Sequence, residues 1–395
     1  VRQAHSLTAE QARRGYPVRF RATVTYYNPH NDARHSSLFV KDATGGIFVA
    51  APLQPVLPIR AGTLVEISGV TAPGNFAPIV ERPAIRILGA GTLPEAPRVT
   101  MPHLLTGAED AQWVEIEGIV HSVERYRGES VLNLATTDGL ITANTPAAGE
   151  DYSGLIDAKV LLRAVAGTLY NDNRQMTGVW LLFPGMAAVR VEEPPPADPF
   201  SLPPLALDGL QQYSQVVAPR HRVHVRGRVT LDWPGRSLCI QDGKNGLCMQ
   251  TLDASALREG ELVDVAGFPA LDNYQPTLSD AVLRPAGPGI QMAARQIRSG
   301  AAFSDEDNAE LVRIEARVIG TSLVANDSAL LLSSEGMVFP AVLPAGPDAA
   351  ATKLWLRRLE GSRVRITGVF SGKVDALRSR RSGATRLESF QLLLR

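Results

Sequence analysis

Leu38-Phe-Val-Lys-Asp-Ala-Thr-Gly-Gly-Ile-Phe-Val49 reads as a β-hairpin, and the chain carries it twice. Apolar residues alternate on both sides of a polar, glycine-containing turn, the period of half-buried strands. Leu38, Val40, Ile47 and Val49 are expected to face a core, with Phe39, Lys41 and Phe48 on the opposite face. Asp42 is expected to bond its own backbone in the turn, where the glycines supply positive φ. The second copy, Leu238-Cys-Ile-Gln-Asp-Gly-Lys-Asn-Gly-Leu-Cys-Met249, follows at an offset of 200 with no gap.

Working outward, Val18-Arg-Phe-Arg-Ala-Thr-Val-Thr25 matches Val223-His-Val-Arg-Gly-Arg-Val-Thr230, and Gly62-Thr-Leu-Val-Glu-Ile-Ser-Gly69 matches Gly260-Glu-Leu-Val-Asp-Val-Ala-Gly267. Asn75-Phe-Ala-Pro78 matches Asn273-Tyr-Gln-Pro276. Two weaker copies interleave. Val114-Glu-Ile-Glu-Gly-Ile-Val120 pairs with Val312-Arg-Ile-Glu-Ala-Arg-Val318, and Val160-Leu-Leu-Arg-Ala164 with Val364-Arg-Ile-Thr-Gly368. Val179-Trp-Leu-Leu-Phe183 pairs with Phe390-Gln-Leu-Leu-Leu394. The order is A-B-A′-B′, a duplicated two-domain unit.

Each copy holds five short strands in about 90 residues, which suits a partly open OB-like barrel. A β-sandwich of similar strand count is the structural rival. The expected fold is mostly β: four tandem OB-like five-stranded barrels in two related pairs, with short helices and Pro-rich linkers. The expected domains are 1–92, 93–192, 193–288 and 289–395, and Glu193-Pro-Pro-Pro-Ala-Asp-Pro199 is a stiff joint between the halves. In the first repeat Gly69 is expected to permit a bulge or bend. Thr8-Ala-Glu-Gln11 has capping-box spacing for a short helix stopped near Gly15, and Asp253-Ala-Ser-Ala-Leu-Arg258 fits another capped helix.

Forty Lys and Arg balance forty Asp and Glu, so no global field draws nucleic acid or an anionic membrane. No apolar run approaches the length needed to span a bilayer. No phosphate-cradling loop, cysteine knuckle or nucleophile elbow is present, so no enzyme, cofactor or metal is expected. Asp42 and Asp242 read as turn residues. His30 and His35, with Asp32 nearby, have metal-ligating chemistry but nothing to fix its geometry. His221 and His224 fall on opposite faces of a strand.

Alternation places Arg19, Arg21, Phe39, Lys41 and Phe48 on one outward face, with Tyr26 and Tyr27 near its edge. OB folds stack bases and neutralise phosphates there. Zero net charge and the lack of such a face in the second and fourth repeats instead favour its burial against a neighbour. At the two phenylalanine positions the third repeat has Cys239 and Cys248, directly opposite in the hairpin and expected to bridge in an oxidising compartment. Arg378, Arg380, Arg381 and Arg386 form a basic loop, read as solvated or else facing lipid headgroups.

Pro17-Val-Arg-Phe-Arg-Ala-Thr-Val-Thr-Tyr-Tyr27, the hairpin at 38–49 and Glu109-Asp-Ala-Gln-Trp-Val-Glu-Ile-Glu-Gly118 resemble the extracytoplasmic sensor region of certain bacterial membrane-bound histidine kinases and diguanylate cyclases. The resemblance implies a periplasmic input region, next to a membrane anchor and output domain absent from this chain. It carries over no ligand residue. The expected function is a non-catalytic sensing or interaction module binding a small ligand or protein partner, with signalling by inter-barrel geometry. Nucleic acid is not the expected partner; a single-stranded nucleic-acid-binding tandem OB protein is the alternative.

Overall fold

The computed structural model describes residues 1–30, 33–146, 149–210, 221–272, 275–298, 307–325, 327–346, 349–375, 379 and 387–395. The fold is mostly β, with 56% of the described residues in strands and 8% in helices. The chain divides into two compact units, Val1–Pro196 and Ala197–Arg395.

In the first unit, β1 (Pro17–Asn28), β2 (Ser36–Lys41), β3 (Gly46–Ala51), β4 (Thr63–Ala72) and β5 (Ile79–Ala90) close in the order β1-β2-β3-β5-β4. β1 pairs antiparallel with both β2 and β4, and β3 meets β5 in parallel at Val49 and Val80. This is the strand order of an OB barrel, in which closure hides the sheet edges. β6 (Trp113–Tyr126), β7 (Glu129–Thr136), β8 (Gly139–Thr145), β9 (Lys159–Tyr170) and β10 (Met176–Leu182) repeat the order, and β11 (Val189–Glu193) adds to β9.

In the second unit, β12 (Val223–Trp233), β13 (Ser237–Asp242), β14 (Asn245–Gln250), β15 (Leu262–Asp272) and β16 (Gln275–Gly287) form a sheet ordered β14-β13-β12-β15-β16. β17 (Arg295–Gln296) runs parallel to β18 (Leu311–Val324). With β19 (Asp327–Ser334), β20 (Met337–Leu343), β21 (Arg363–Val374) and β22 (Leu387–Leu393), β18 closes a barrel of the same order.

Leu38, Val40, Ile47 and Val49 are fully buried in the first barrel with Val24, Val65 and Ile67, as the alternation predicts. Their counterparts Leu238, Ile240, Leu247 and Met249 fill the third. Each first strand breaks register midway: at Val24/Tyr26, Val120/Ser122, Val229/Leu231 and Val318/Gly320. A bulge shifts side-chain parity. Tyr26 therefore leaves the barrel interior and Tyr27 enters it, a reversal that strict alternation does not foresee.

The two barrels of each unit meet through backbone. A Cβ on Gly46 would lie 2.1 Å from the Ala111 carbonyl oxygen, and one on Gly246 would lie 2.2 Å from that of Ala309. Both alanines hold φ 62. The Gly46 N–H donates to Gln112 Oε1 at 2.8 Å. Neither Gly45 nor Gly46 is among the residues with positive φ. The expected reason for these turn glycines is thus corrected: Gly46 is required by close approach, while Asp42 Oδ1 does cap the turn, accepting from Thr44 N at 2.7 Å.

The capping box at Thr8 and Gln11 forms, with both reciprocal bonds, at the start of the helix Ala9–Ala12. Residues 253–258 are not helical: Asp253 Oδ1 accepts from Ser255 N at 2.8 Å, and this Asx turn competes with a helix start. Register slips between Ser68 and Val70, placing a bulge at Gly69 as expected.

Gly46→Ala and Gly246→Ala are each expected to cost about 1–3 kcal/mol of stability by overpacking. Gly45→Ala, whose Cβ would meet the Gln112 side-chain amide no closer than 3.4 Å, serves as the control. Urea denaturation followed by circular dichroism reads the difference; equal midpoints for all three would refute the constraint.

Within the second unit Arg236 donates to both oxygens of Asp327, at 2.9 and 2.6 Å. Those bonds hold the Asp327 carboxyl below its usual range, against the opposing effect of burial. A depressed carboxyl stabilises the fold above its unfolded pKa, about 3.9, and that stability is lost as pH falls through the folded value. Asp327→Asn is therefore expected to flatten the dependence of stability on pH below about pH 4, measured by urea midpoints across an acid series.

Candidate functional site

The bulge at Thr25 sends Tyr26 outward beside Phe39 and Phe48, forming a ladder across β1, β2 and β3. The Tyr26 and Phe39 rings meet edge-on at 6.1 Å, and Phe39 and Phe48 at 5.1 Å. This ladder packs into the core of the second barrel with Ala111, Trp113 and Val165. Burial pushes the Tyr26 phenol far above its usual range. In the second unit Leu231, Trp233, Cys239 and Cys248 occupy the same face against Leu311, Ala329 and Val369. Cys239 and Cys248 sit directly opposite and are bridged, with Cα atoms 4.1 Å apart, the close spacing of a non-hydrogen-bonded pair.

Beside the aromatic ladder a cleft of about 640 Å³ opens between the first unit's barrels. The first barrel supplies Arg34 and His35 before β2, Phe39 and Phe48 on β2 and β3, and the turn 73–77 between β4 and β5. The second supplies Gly167, Thr168 and Tyr170 from β9 and Trp180 from β10. Gly167 and Trp180 are register partners, and a Cβ on Gly167 would lie 2.3 Å from Trp180 Nε1 and 2.6 Å from Cδ1. Only glycine lets the indole lie against the strand.

Arg174, at φ 63 in the β9–β10 turn, holds the opposite wall. Its guanidinium donates to the carbonyls of Gly74, Pro73 and Phe76 at 2.7, 2.8 and 3.1 Å. Asn75 Nδ2 donates to the Tyr170 hydroxyl at 3.0 Å. The His35 ring meets Phe48 edge-on at 5.4 Å. The corresponding cleft of the second unit is smaller, about 290 Å³, with Cys248, Pro276, Thr277 and Asn308 on its walls. There Ser371 and Gln391 hold the register of Gly167 and Trp180, so the indole platform belongs to the first unit.

The seven outward-face residues thus fall in separate places. Phe39 and Phe48 line the cleft, and Tyr26 is buried beside them. Tyr27 packs inward, its hydroxyl accepting from Leu57 N at 3.1 Å. Arg19 and Arg21 flank β4 and gather with Arg86 around Glu66, at 3.0, 3.4 and 2.8 Å. Hydrogen bonds from Arg86 and Arg19 lower the Glu66 carboxyl to about 2. Lys41 is half-buried opposite Thr23, outside the cleft walls.

The loop residues Arg378, Arg380, Arg381 and Arg386, and Asp32 beside His30, lie outside the described residues. The His30 N–H donates to Asn28 Oδ1 at 3.0 Å. Among the described residues no three His, Cys, Asp or Glu side chains are placed to hold a metal ion. No described helix is long and apolar enough to cross a membrane. Trp180, Arg174, Tyr170 and Asn75 escaped the sequence reading. The alignment of Val179-Trp-Leu-Leu with Phe390-Gln-Leu-Leu held a signal, since it sets Trp180 against Gln391.

No protein-family model matches the chain, and no curated protein is significantly similar to it. Among solved structures, a murine DNA-binding protein bound to double-stranded DNA is 14% identical, covering 46% of this chain and 99% of its own, with a TM-score of 0.25. The Ifi202 HINa domain in complex with 20-bp double-stranded DNA is 7% identical over 46% of this chain and 100% of its own, also at 0.25. The p204 HINb domain is 11% identical over 45% and 98%, at 0.23. The OB assignment rests on the strand order itself.

Arg174→Ala is expected to free the 73–77 turn, because hydrogen bonds from a charged donor contribute roughly 1.5–3 kcal/mol. Hydrogen exchange at Asn75 and Phe76 should accelerate at least tenfold, while exchange in the second unit stays unchanged. Unaltered exchange at those amides would deny the clamp.

Proposed function

We propose that the chain is a non-catalytic binding module whose ligand enters the cleft between the first unit's two barrels. One observation carries this reading. The loop between strands 1 and 2, strands 2 and 3, and the loop between strands 4 and 5 are the elements with which OB folds hold ligands. Here those elements line the cleft, and Trp180 of the neighbouring barrel faces them. The volume suits a small molecule.

A ligand touching both barrels binds one barrel–barrel angle better than others and shifts that equilibrium, which is how a sensing module would relay occupancy. The resemblance to extracytoplasmic sensor regions supports a periplasmic input role. So does the Cys239–Cys248 bridge, a bond that persists in oxidising compartments.

Charge segregation favours a second reading, nucleic-acid binding. Residues 1–92 hold ten Lys and Arg against five Asp and Glu, and 289–395 hold fifteen against eleven. Residues 93–192 reverse this, with seven against thirteen. Tyr26 and Phe39 of the aromatic ladder that would stack bases are, however, buried against the second barrel, which leaves only Phe48 partly exposed.

A small-molecule screen on the full chain, read by amide chemical shifts, is expected to give compounds that perturb residues 34–39, 73–77 and 167–180. A compound at 100 times its Kd should stabilise the protein by about 2.7 kcal/mol, an effect lost in Trp180→Ala. Oligonucleotide binding that falls a thousandfold between 50 and 200 mM salt, as about six phosphate contacts would produce, with no small-molecule response at the cleft, would replace this reading with the second.

A further inference from the structure

We infer that the cleft selects a neutral, hydroxyl-rich ring: a saccharide. This rests on the cleft being the binding site and adds the chemistry of what it binds.

The first reason is the platform. The Trp180 indole lies against Gly167, where a Cβ would sit 2.3 Å from Nε1, and the same side chain lines the cleft. A flat aromatic face suits a ring with an apolar face, since contact removes both surfaces from water. Phe48 and Phe76 supply apolar area on the other side.

The second reason is what surrounds the platform. The Tyr170 and Thr168 hydroxyls can donate and the Asn75 amide oxygen can accept, the Asn75 Nδ2 being already used by the Tyr170 hydroxyl, so donors and acceptors are mixed. Hydroxyl groups, each both donor and acceptor, are satisfied by such a mixture.

The third reason is charge. Arg34 is opposed by Glu81 and Asp110 in the same walls. Asp110 also faces His5 Nε2 at 3.5 Å. Arg34 and Glu81 are exposed, and exposed ion pairs contribute little. An anionic ligand would give up its hydration without a buried positive charge to replace it, and the mostly buried Asp110 carboxylate already faces His5. A neutral polar ring gives up much less.

The test uses the full chain and a defined panel: maltotriose, cellotriose and chitotriose, with adenosine, glycyl-glycine and hexathymidylate alongside. Isothermal calorimetry and amide shifts measure binding to wild type, Trp180→Ala and Trp180→Phe. We expect at least one saccharide to bind, Trp180→Ala to weaken it at least tenfold, and Trp180→Phe to retain part of the affinity. Trp180→Phe also keeps the test valid should the alanine variant unfold. Saccharide binding indifferent to Trp180→Phe and Trp180→Ala, with shifts away from residues 73–77 and 167–180, would overturn the proposal. Adenosine or the dipeptide bound at those residues, with all three saccharides silent, would overturn the saccharide assignment and leave the cleft standing. Silence from the panel together with a null broad screen would remove both.

Discussion

Contact between backbones, with no side chain between them, sets the geometry within each unit. Gly46 meets the Ala111 carbonyl and Gly246 meets that of Ala309, at positions where a Cβ would lie 2.1 and 2.2 Å away. Such an approach fixes the separation of two barrels far more tightly than facing side chains, which choose among rotamers. The alanines reach it through φ 62, a conformation costly for a residue with a Cβ. Tertiary contacts sustain that cost twice. Ala111 N donates to Ala166 O at 2.9 Å, and Ala309 N donates to Phe370 O at 2.8 Å.

The bulge in the first strand completes the joint. Without it Tyr26 would continue inward, and the outer face would present Phe39 and Phe48 without their neighbour. With it, Tyr26, Phe39 and Phe48 form one ladder, and the second barrel covers it. A surface that other OB barrels leave open for ligands is thereby divided. Its centre becomes interface, and its margin, bounded by two loops, becomes the wall of a cleft. Arg19 and Arg21, which alternation assigns to this face, are on β1's earlier half, ahead of the bulge, where Glu66 gathers them.

Strands, hairpin registers and the cross-strand pairing of Phe39 with Phe48 and of Cys239 with Cys248 were legible because each depends on residues close in sequence. Period-two alternation encodes them directly. The parity change at Thr25 was not legible, since a bulge is set by how a strand curves around its barrel. Nor was the reason for Gly46: its requirement comes from Ala111, 65 residues away. The cleft was missed for the same cause. Arg174 reaches Gly74, and Trp180 comes to share a cleft with Phe48, only once two barrels are docked, and neither belongs to a local pattern. A lone arginine at a turn with φ 63 carries no mark of the three carbonyls it will hold.

Duplication within the chain separates what the scaffold needs from what it leaves open. Both units keep the turn glycine, the left-handed alanine, the bulged first strand and a directly opposed cross-strand pair against the neighbouring barrel. These positions answer to packing, and their agreement needs no function. The pair at the cleft floor answers to nothing the two units share: Gly167 with Trp180 in one, Ser371 with Gln391 in the other. Both pairs occupy the same register on the same two strands, so the scaffold does not demand an indole. A half-buried tryptophan that its own glycine must accommodate adds a constraint the other unit does without. Its indole packs against the second barrel's core and also lines the cleft, with no such group at this register in the second unit, so the proposed binding site falls in the first unit.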